Sequence, residues 1–271
     1  MSSGRFLLVV LLLFTQTCLA QKESVLRIIL PKGNVTVDNS PVKSGQRLRS
    51  SSKTLLIDKG SYAYVLTPKG YAMRLGAGNW TIAEIEDFIV KSDRYSKPRA
   101  VHREEAEPLE FIGFEFPPSR EVMKEHIVLR WRQNPRSPVK VGPPFQFTML
   151  NGFDEVLYKT SVDGYDVHLN SVRTLAKQNQ AIFCKLNEHD SETVTIKFIS
   201  KSDSVRIASD LSGIPVSKVK TIYDLIIYDC NTLPIDVITT LDSIYKRGDR
   251  TFDKDLENYL AILGKKGLLR E

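Results

Sequence analysis

The chain has few of the residue patterns that build metal sites and nucleophile sites. It contains three cysteines and four histidines, and no two histidines have the H-x-x-x-H spacing. Neither C-x-x-C nor G-x-S-x-G occurs. The first two spacings bring metal ligands together around one ion, and G-x-S-x-G places a nucleophilic serine on a sharp turn. The sequence therefore predicts a protein that is not an enzyme and has no catalytic, metal or cofactor-binding residues.

Long apolar runs are also scarce after the N-terminus. The run Phe6–Phe14 is about half of the 20 residues that a membrane-spanning helix needs. Arg5 precedes it, and the small residue Ala20 stands at the expected cleavage point, which is the layout of a secretory signal over residues 1–20. We expect a periplasmic or secreted mature protein that is at most peripheral to a membrane.

The three cysteines fall in separate parts of the sequence. Cys18 would be the acylated residue of a lipoprotein, but Thr15 and Thr17 make a poor lipobox, so we expect no lipid anchor. Cys184 and Cys230 remain after cleavage, in segments that we assign to different domains. The sequence favours two separate thiols and leaves open whether they pair.

The charges do not form a dense patch of one sign. Lys and Arg number 38 and Asp and Glu number 32, which gives a formal net charge of +6. These charges are interspersed, so nucleic acid is not a predicted partner. The surface is compatible with an acidic glycan or an anionic envelope.

Residues 24–90 have the pattern of a small antiparallel β domain. Short alternating apolar stretches are separated by turn residues roughly every ten positions. The predicted strands are Leu26–Leu30, Val35–Val37, Thr54–Ile57 and Tyr62–Thr67. The predicted core consists of Val35, Leu48, Leu56, Tyr62, Val65 and Leu75.

Three stretches of this domain, residues 33–37, 41–48 and 60–75, resemble the FecR domain of bacterial envelope proteins. Gly45 and Gly70 would occupy turn positions with positive φ, which other residues resist. The best-known FecR proteins carry a cytoplasmic sigma-regulating segment and a membrane helix before this domain, whereas a signal peptide stands there in this chain. The resemblance therefore implies an envelope signal sensor only if a membrane-spanning partner completes it.

A second β section follows a charged linker over residues 91–108. Residues 109–200 contain seven strand-like runs, which predict an immunoglobulin-like or fibronectin type III-like β-sandwich with Trp131 in its core. Asn151-Gly152 predicts a hairpin turn. The runs are Glu110–Phe116, Ile127–Gln133, Phe145–Leu150, Val156–Thr160, Tyr165–Leu169, Gln180–Leu186 and Thr193–Ile199.

The period of the apolar residues changes in residues 204–271, where they recur every three or four positions and predict three or four helices. Pro215 and Pro234 suit first helical turns, and Gly248 and Gly264–Gly267 suit helix ends. The stretch Tyr259–Leu268 and the helix before it resemble a degenerate tetratricopeptide-type hairpin. Because a single repeat cannot bury its apolar face alone, we expect that face to pack on the sandwich or on a partner.

The candidate binding residues are Trp80 and its neighbours Asn79 and Arg74. Trp80 follows a bend at Gly76 and Gly78, where its ring would either stack on a sugar or a partner side chain, or close the core of the first domain. The core interpretation is slightly favoured. The leading hypothesis is a non-catalytic periplasmic scaffold or adaptor that binds other cell-envelope proteins. The alternatives are a peptidoglycan- or glycan-binding module and a FecR-type sensor.

Overall fold

Strands dominate the chain before residue 200, and helices dominate after it. The computed structural model describes residues 25–49, 54–93, 107–114, 119–175, 181–187, 191, 193–215, 219–247, 252–265 and 268. Within them the chain is mainly β, with four sheets and most of its helices near the C-terminus, as the sequence predicted. The predicted signal peptide, with Cys18 and Ala20, lies outside the described residues.

The first module, residues 25–93, consists of two four-stranded sheets and a helix. The strand orders are β4-β1-β6-β7 and β3-β2-β5-β8. The elements are β1 Val25–Lys32, β2 Val35–Val37, β3 Ser40–Pro41, β4 Arg47–Arg49, β5 Thr54–Ile57, β6 Tyr62–Leu66, β7 Ala72–Leu75, β8 Gly78–Thr81 and α1 Ile82–Asp93. Gly45 and Gly70 have φ values of 80° and 86°, which confirms the two predicted positive-φ turns.

Three predictions for this module were wrong. Tyr62 was assigned to its core, but Tyr62 is only partly buried and lies outside that core, where its hydroxyl donates a hydrogen bond to Asp210. Leu56 is 39% exposed, whereas its neighbours Leu55 and Ile57 are buried. Leu55, Leu56 and Ile57 are all apolar, so the sequence does not show which of them face the core. An assignment that is shifted by one residue places every side chain of the strand on the wrong face of the sheet. In addition, helix α1 spans Ile82–Asp93, where no helix was predicted, and it crosses the boundary placed at residue 90.

The second module, residues 109–198, also has two sheets, which enclose an aromatic core. The five-stranded sheet has the order β10-β16-β15-β12-β13, with β10 parallel to β16, and the other has the order β14-β11-β9. The elements are β9 Leu109–Phe111, β10 Ser119–Val122, β11 Ile127–Gln133, β12 Phe145–Leu150, β13 Val156–Val162, β14 Asp166–Leu169, α2 Val172–Leu175, β15 Ile182–Leu186 and β16 Val194–Phe198. Trp131 is 1% exposed and packs on Phe111 and Phe145, so its predicted core position is confirmed.

Two local features of this module differ from the sequence prediction. Strand β10 was not predicted, because Ser119–Val122 has no apolar alternation and forms a strand only by pairing with β16. The hairpin of β12 and β13 does form, but positive φ falls at Asp154. The Asn151 side chain accepts hydrogen bonds from the backbone of Phe153 and Glu155, so it organises a longer turn than Asn-Gly alone predicts.

The C-terminal helices are α3 Lys201–Ser212, α4 Lys220–Cys230, α5 Pro234–Arg247 and α6 Lys254–Lys265, and we call them the helical layer. Helix α3 begins before the predicted boundary at residue 204 because the Ser200 hydroxyl accepts the backbone N–H of Asp203, 3.1 Å away. Pro234 opens α5, as predicted. Helix α6 ends at Lys265, within the predicted end at Gly264–Gly267.

The helical layer packs on both β modules. Residues of α4, α5 and α6 share one apolar core with the second module, which confirms that their apolar faces need another part of the structure. On the first module, Tyr64 and Leu66 of β6 belong to that same core, whereas Ala63 and Val65 point into the core of the first module itself. The sheet that contains β6 is therefore buried on both faces.

Helix α6 approaches the first module at Gly70. A Cβ atom at this position would lie 2.4 Å from the backbone carbonyl of Asn258, and the Asn258 amide donates a 2.8 Å hydrogen bond to the carbonyl oxygen of Pro68. Gly70 is therefore required twice, by its positive φ and by the closeness of the helix.

Candidate functional site

A shallow groove of about 340 Å³ lies on the first module where β8 meets α1. We call it the Trp80 groove, and it is lined by Gly78, Asn79, Trp80, Glu84, Asp87 and Phe88. Strand β8 supplies the first three residues. Helix α1 supplies the others, which share one helix face because residues three and four positions apart are neighbours.

Trp80 is held by its own turn. Its indole N–H donates a 3.0 Å hydrogen bond to the carbonyl oxygen of Gly76, and a Cβ atom on Gly78 would lie 3.2 Å from the indole nitrogen. The ring packs partly on the core of the first module, and it also meets Phe88 with ring centroids 6.2 Å apart and planes at 76°. Because the indole has only one N–H, Trp80 offers a ligand its π surface and no hydrogen-bond donor.

Glu84 has a fixed position at the start of α1. Its carboxylate accepts hydrogen bonds from the backbone N–H and the hydroxyl of Thr81, at 2.8 and 2.9 Å, and the Thr81 hydroxyl accepts the backbone N–H of Glu84. This reciprocal arrangement is a capping box. The two hydrogen bonds from Thr81 lower the pKa of Glu84, so the groove keeps this negative charge in mildly acidic solution.

The structure brings together two of the three predicted binding residues. Trp80 and Asn79 both line the groove. Arg74 of β7 lies elsewhere, with its guanidinium carbon 4.1 Å above the ring of Tyr62. Trp80 combines both predicted roles, since it packs on the core and also borders an open groove. The sequence did not single out Glu84, Asp87 or Phe88, although the pattern T-x-x-E before an apolar run was a signal for the capping box.

A buried carboxylate joins the first module to α3. Asp210 is 1% exposed and accepts hydrogen bonds from the hydroxyls of Tyr62 and Tyr64, at 2.8 and 2.9 Å. The ammonium group of Lys32 lies 3.6 Å from the same carboxylate. Burial and the hydrogen bond to Asp210 raise the pKa of Tyr62 to about 12. The Tyr62 hydroxyl therefore keeps its proton at neutral pH and remains a hydrogen-bond donor to Asp210.

A second polar contact joins the first module to α6. Arg27 of β1 is 4% exposed and donates to the carboxylates of Asp253 and Asp255, at 2.7 and 3.0 Å. Burial opposes the charge of Arg27, but the hydrogen bond and the charge of Asp253 more than compensate and raise its pKa. A buried cation needs such partners because an unpaired charge in the interior is strongly destabilising. A charged residue inside an apolar strand was the only sequence signal for this contact.

The second module meets α5 through buried polar groups as well as apolar ones. Asp236 is fully buried and accepts the backbone N–H groups of Met123 and Lys124, at 2.9 and 2.8 Å. Burial raises the pKa of Asp236, while these two hydrogen bonds oppose that change. The buried Arg130 donates to Asp242 at 2.9 Å. These contacts fix the register of α5 on the sheet.

The turn end of the β12–β13 hairpin exposes large apolar side chains. Phe153 is 79% exposed, Val156 is 60% exposed and Tyr158 is 36% exposed. We call these three residues the hairpin rim. Tyr165, which is 42% exposed, lies at the other end of the hairpin, beside Phe145. The rings of Tyr158 and Tyr165 lie against the core residues Phe147 and Phe145. A five-stranded sheet that faces a three-stranded sheet has a margin that the smaller sheet cannot cover, and β13 is at that margin.

The described residues include no group of three or more His, Cys, Asp or Glu side chains arranged to hold a metal ion. Cys184 is buried in the second module and Cys230 ends α4, as two separate thiols. Within the part of the chain that the structure describes, no helix is both long enough and apolar enough to cross a bilayer.

Comparison with protein-family models gives no match, and comparison with curated proteins gives none either. A solved structure titled "Biofilm associated protein - BSP domain" aligns with 68% of this chain and 26% of its own, at 9% identity and a TM-score of 0.24. The chain thus spans about a quarter of the length of that structure. A likeness this weak carries no argument about fold or function.

Proposed function

We propose that the chain is a non-catalytic scaffold or adaptor that binds other proteins of the bacterial cell envelope. The observation that carries the proposal is the joining of two β modules by one helical layer, through a shared apolar core and buried ion pairs. Such a connection holds the outer surfaces of the two modules in a fixed relation, which is the requirement for presenting partners to one another.

Features of each module support the envelope part of the proposal. The first module has the positive-φ glycines on which the FecR resemblance depends. The strand order of the second module, with β9, β11 and β14 in one sheet and the other five strands in the second, supports an immunoglobulin-like or fibronectin-like sandwich. The secretory layout of residues 1–20 supports a periplasmic or secreted location.

The hairpin rim is the surface that we assign to protein binding. Exposed aromatic side chains are over-represented at the centres of protein interfaces, because each buries a large area at a small entropic cost. Phe153, Val156 and Tyr158 lie close in sequence at the open margin of one sheet. A partner that covers them would shield apolar surface that the second module itself leaves in water.

Site-specific photocrosslinking in the native envelope tests this function. A photoreactive residue at Phe153 should give discrete protein adducts, and the matched control at Glu257, an exposed position on α6, should not give the same ones. Val156→Ser combined with Tyr158→Ser should reduce the Phe153 adducts at least about fivefold, since two apolar contacts are lost. The proposal fails if no adduct forms at either position while the purified protein converts a defined substrate.

A glycan-binding module is the weaker alternative. It would use the exposed aromatic surface of the Trp80 groove, because sugar rings stack on aromatic rings. Two carboxylates, Glu84 and Asp87, line that groove and would repel an anionic glycan. Sedimentation with isolated peptidoglycan sacculi measures this alternative directly, and Trp80→Ala should abolish co-sedimentation if Trp80 is the binding residue.

A further inference from the structure

We propose that two copies of this chain associate through the open edge of strand β13, so that their five-stranded sheets continue into one another. Association between identical chains goes beyond the proposed scaffold function and does not depend on it. Three features of β13 carry the proposal: the open edge itself, the direction of its backbone groups, and side chains that complement a second copy in one register.

Strand β13 forms one edge of the larger sheet of the second module. It has seven residues, Val156–Val162, and in the described ranges its strand partner is β12 alone. No other described helix or strand packs extensively against it, and every side chain along it is at least partly exposed. Such an edge presents backbone N–H and C=O groups with which another strand can pair.

Hydrogen bonds at Gln146 of β12 show which residues of β13 pair with β12. The Gln146 N–H donates to the Asn187 side chain at 2.6 Å, and its carbonyl oxygen accepts the Asn187 N–H at 2.9 Å, so both groups point to the β15 side. In an antiparallel pair, successive residues direct their backbone groups to opposite sides. The next residue, Phe147, therefore directs its groups to β13, where its partner is Thr160.

The residues on either side of Thr160 direct their backbone groups outward, by the same alternation. Lys159 and Ser161 thus each hold one N–H and one C=O group at the open edge. The Ser161 carbonyl oxygen accepts a long contact of 3.4 Å from the Thr160 hydroxyl, and its second lone pair can accept another donor. The side chains of Lys159 and Ser161 are both exposed, so they do not obstruct a strand that approaches this edge.

The side chains of β13 complement a second, antiparallel copy when Thr160 lies opposite Thr160. Lys159 then lies opposite Ser161 of the second copy, and each of these two pairs can exchange both of its backbone hydrogen bonds. Tyr158 lies opposite Val162, and aromatic–β-branched and Thr–Thr pairs are favourable in antiparallel sheets. Tyr158 is 36% exposed, so Val162 of the second copy would cover apolar surface that the single chain leaves in water.

Lys159 and the end of β13 exclude the neighbouring registers. A shift of one residue would set outward groups of one copy against inward groups of the other and lose the hydrogen bonds. A shift of two residues gives either Lys159 opposite Lys159, where like charges repel, or Lys159 beyond the end of the facing strand at Val162. Because a twofold pairing uses the same edge of both copies, it closes after two chains.

Analytical ultracentrifugation of the full mature chain tests the association. The chain should form a dimer with a dissociation constant on the order of 10 µM, because a contact along one short edge buries less area than a permanent interface. Ser161→Pro removes the outward N–H and should weaken the dimer at least about tenfold. The matched control Ser161→Ala keeps that N–H and should dimerise like the parent.

The Ser161→Pro variant should still fold, because an outward N–H takes no part in the pairing of β13 with β12 and proline is tolerated at such edge positions. Circular dichroism of dilute Ser161→Pro and parent chains should therefore give closely similar melting curves. With that control, a loss of dimer reports on the edge and not on the fold.

Cysteine crosslinking tests the register. Thr160→Cys lies opposite itself with Cα atoms about 4.5 Å apart, which a disulfide can bridge, so mild oxidation should give a linked dimer. In Lys159→Cys the two cysteines lie diagonally, about 7–8 Å apart, and should crosslink at least about tenfold more slowly. The parent chain, which carries Cys184 and Cys230, measures the background.

Several outcomes would overturn the inference. A chain that stays monomeric at every concentration excludes it, and a dimer that Ser161→Pro leaves intact forms through another surface. Faster crosslinking of Lys159→Cys than of Thr160→Cys contradicts the register. A monomeric chain that crosslinks to a different envelope protein from a photoreactive residue at Lys159 would assign the edge to a partner's strand, and the scaffold function would stand. If the dimer forms as expected but the Phe153 adducts fail, the proposed function is wrong at the hairpin rim and the inference stands.

Discussion

The first and second modules are attached to the helical layer in different ways. The second module shares its apolar core with α4, α5 and α6, so residues such as Trp131 and Ile238 belong to one continuous cluster. The first module has a core of its own, which includes Val65 and Ile57, and it meets the layer through one face of a sheet and through buried charges. We therefore expect the second module and the layer to unfold together, with the first module joined to them through the β6 side of its sheet and through buried charges.

This difference has a physical consequence for stability. Apolar burial is non-directional and tolerates small displacements, whereas a buried ion pair is stabilising only while both partners stay in place. Buried charges join both modules to the layer, since Arg130 pairs with Asp242 of α5, but the first module contributes fewer apolar residues to the shared core, so its contact should be the more sensitive to charge removal. The contact between the second module and the layer should be the more sensitive to loss of side-chain volume.

The largest expected effect comes from a cavity in the shared core. Ile238 is fully buried, and its Cδ1 atom lies 3.4 Å from where a Cβ atom of Gly113 would be. Ile238→Ala should lower the free energy of unfolding by about 2–4 kcal/mol. Hydrogen exchange should accelerate in β11 and β12 together with α5, because they unfold as one unit.

The matched control is Ile57→Ala, the same change in the core of the first module. Its acceleration of hydrogen exchange should be confined to β1–β8 and α1. Equal acceleration in both modules for either variant would show that the chain has a single cooperative core, contrary to the comparison above.

The next largest effect should come from Asp210. Asp210→Ala leaves the hydroxyls of Tyr62 and Tyr64 without their acceptor and should cost about 2–4 kcal/mol, measured by urea unfolding. Asp203→Ala removes an exposed carboxylate from the same helix and should cost much less, because solvent screens that ion pair. A double-mutant cycle of Asp210→Ala with Tyr64→Phe should show coupling, and additive costs would contradict the hydrogen bond.

The smallest effect is the loss of stability in acid. Burial opposes the ionisation of Asp253, but the hydrogen bond and charge of Arg27 outweigh it and lower the pKa of Asp253. A carboxylate with a lowered pKa contributes stability above its unfolded value, about 4, and this contribution is lost as the pH falls through its folded value. The free energy of unfolding should fall between about pH 5 and pH 2, and it should fall less in Asp253→Asn than in the parent. An equal fall in the variant and the parent would exclude this ion pair as the cause.

Much of the local structure could be predicted because it depends on neighbouring residues. Short-range sterics and apolar alternation set four of the eight strands of the first module, the positive-φ turns at Gly45 and Gly70, and the first turn of α5 at Pro234. The prediction was wrong at Leu56, where alternation is ambiguous, and strand β10 was missed because it forms only by pairing with a distant strand.

The candidate site could be predicted only in part. Trp80 and Asn79 were chosen because a tryptophan beside a glycine bend is unusual, and both line the groove. Glu84, Asp87 and Phe88 come from a helix that the sequence pattern did not reveal, and the packing of that helix on β8 is what creates the groove. Arg74 was placed by sequence proximity, whereas alternation along β7 directs it to Tyr62.

The sequence by itself determined the type and order of most local elements, with α1 and β10 as exceptions, because backbone sterics and apolar periodicity act over a few residues. Only the tertiary structure decided which buried charges meet. Arg27 and Asp253 are 226 residues apart, and Arg130 and Asp242 are 112 residues apart. Their pairing has no local signal, since a charge is tolerated inside a protein only where the fold brings it a partner.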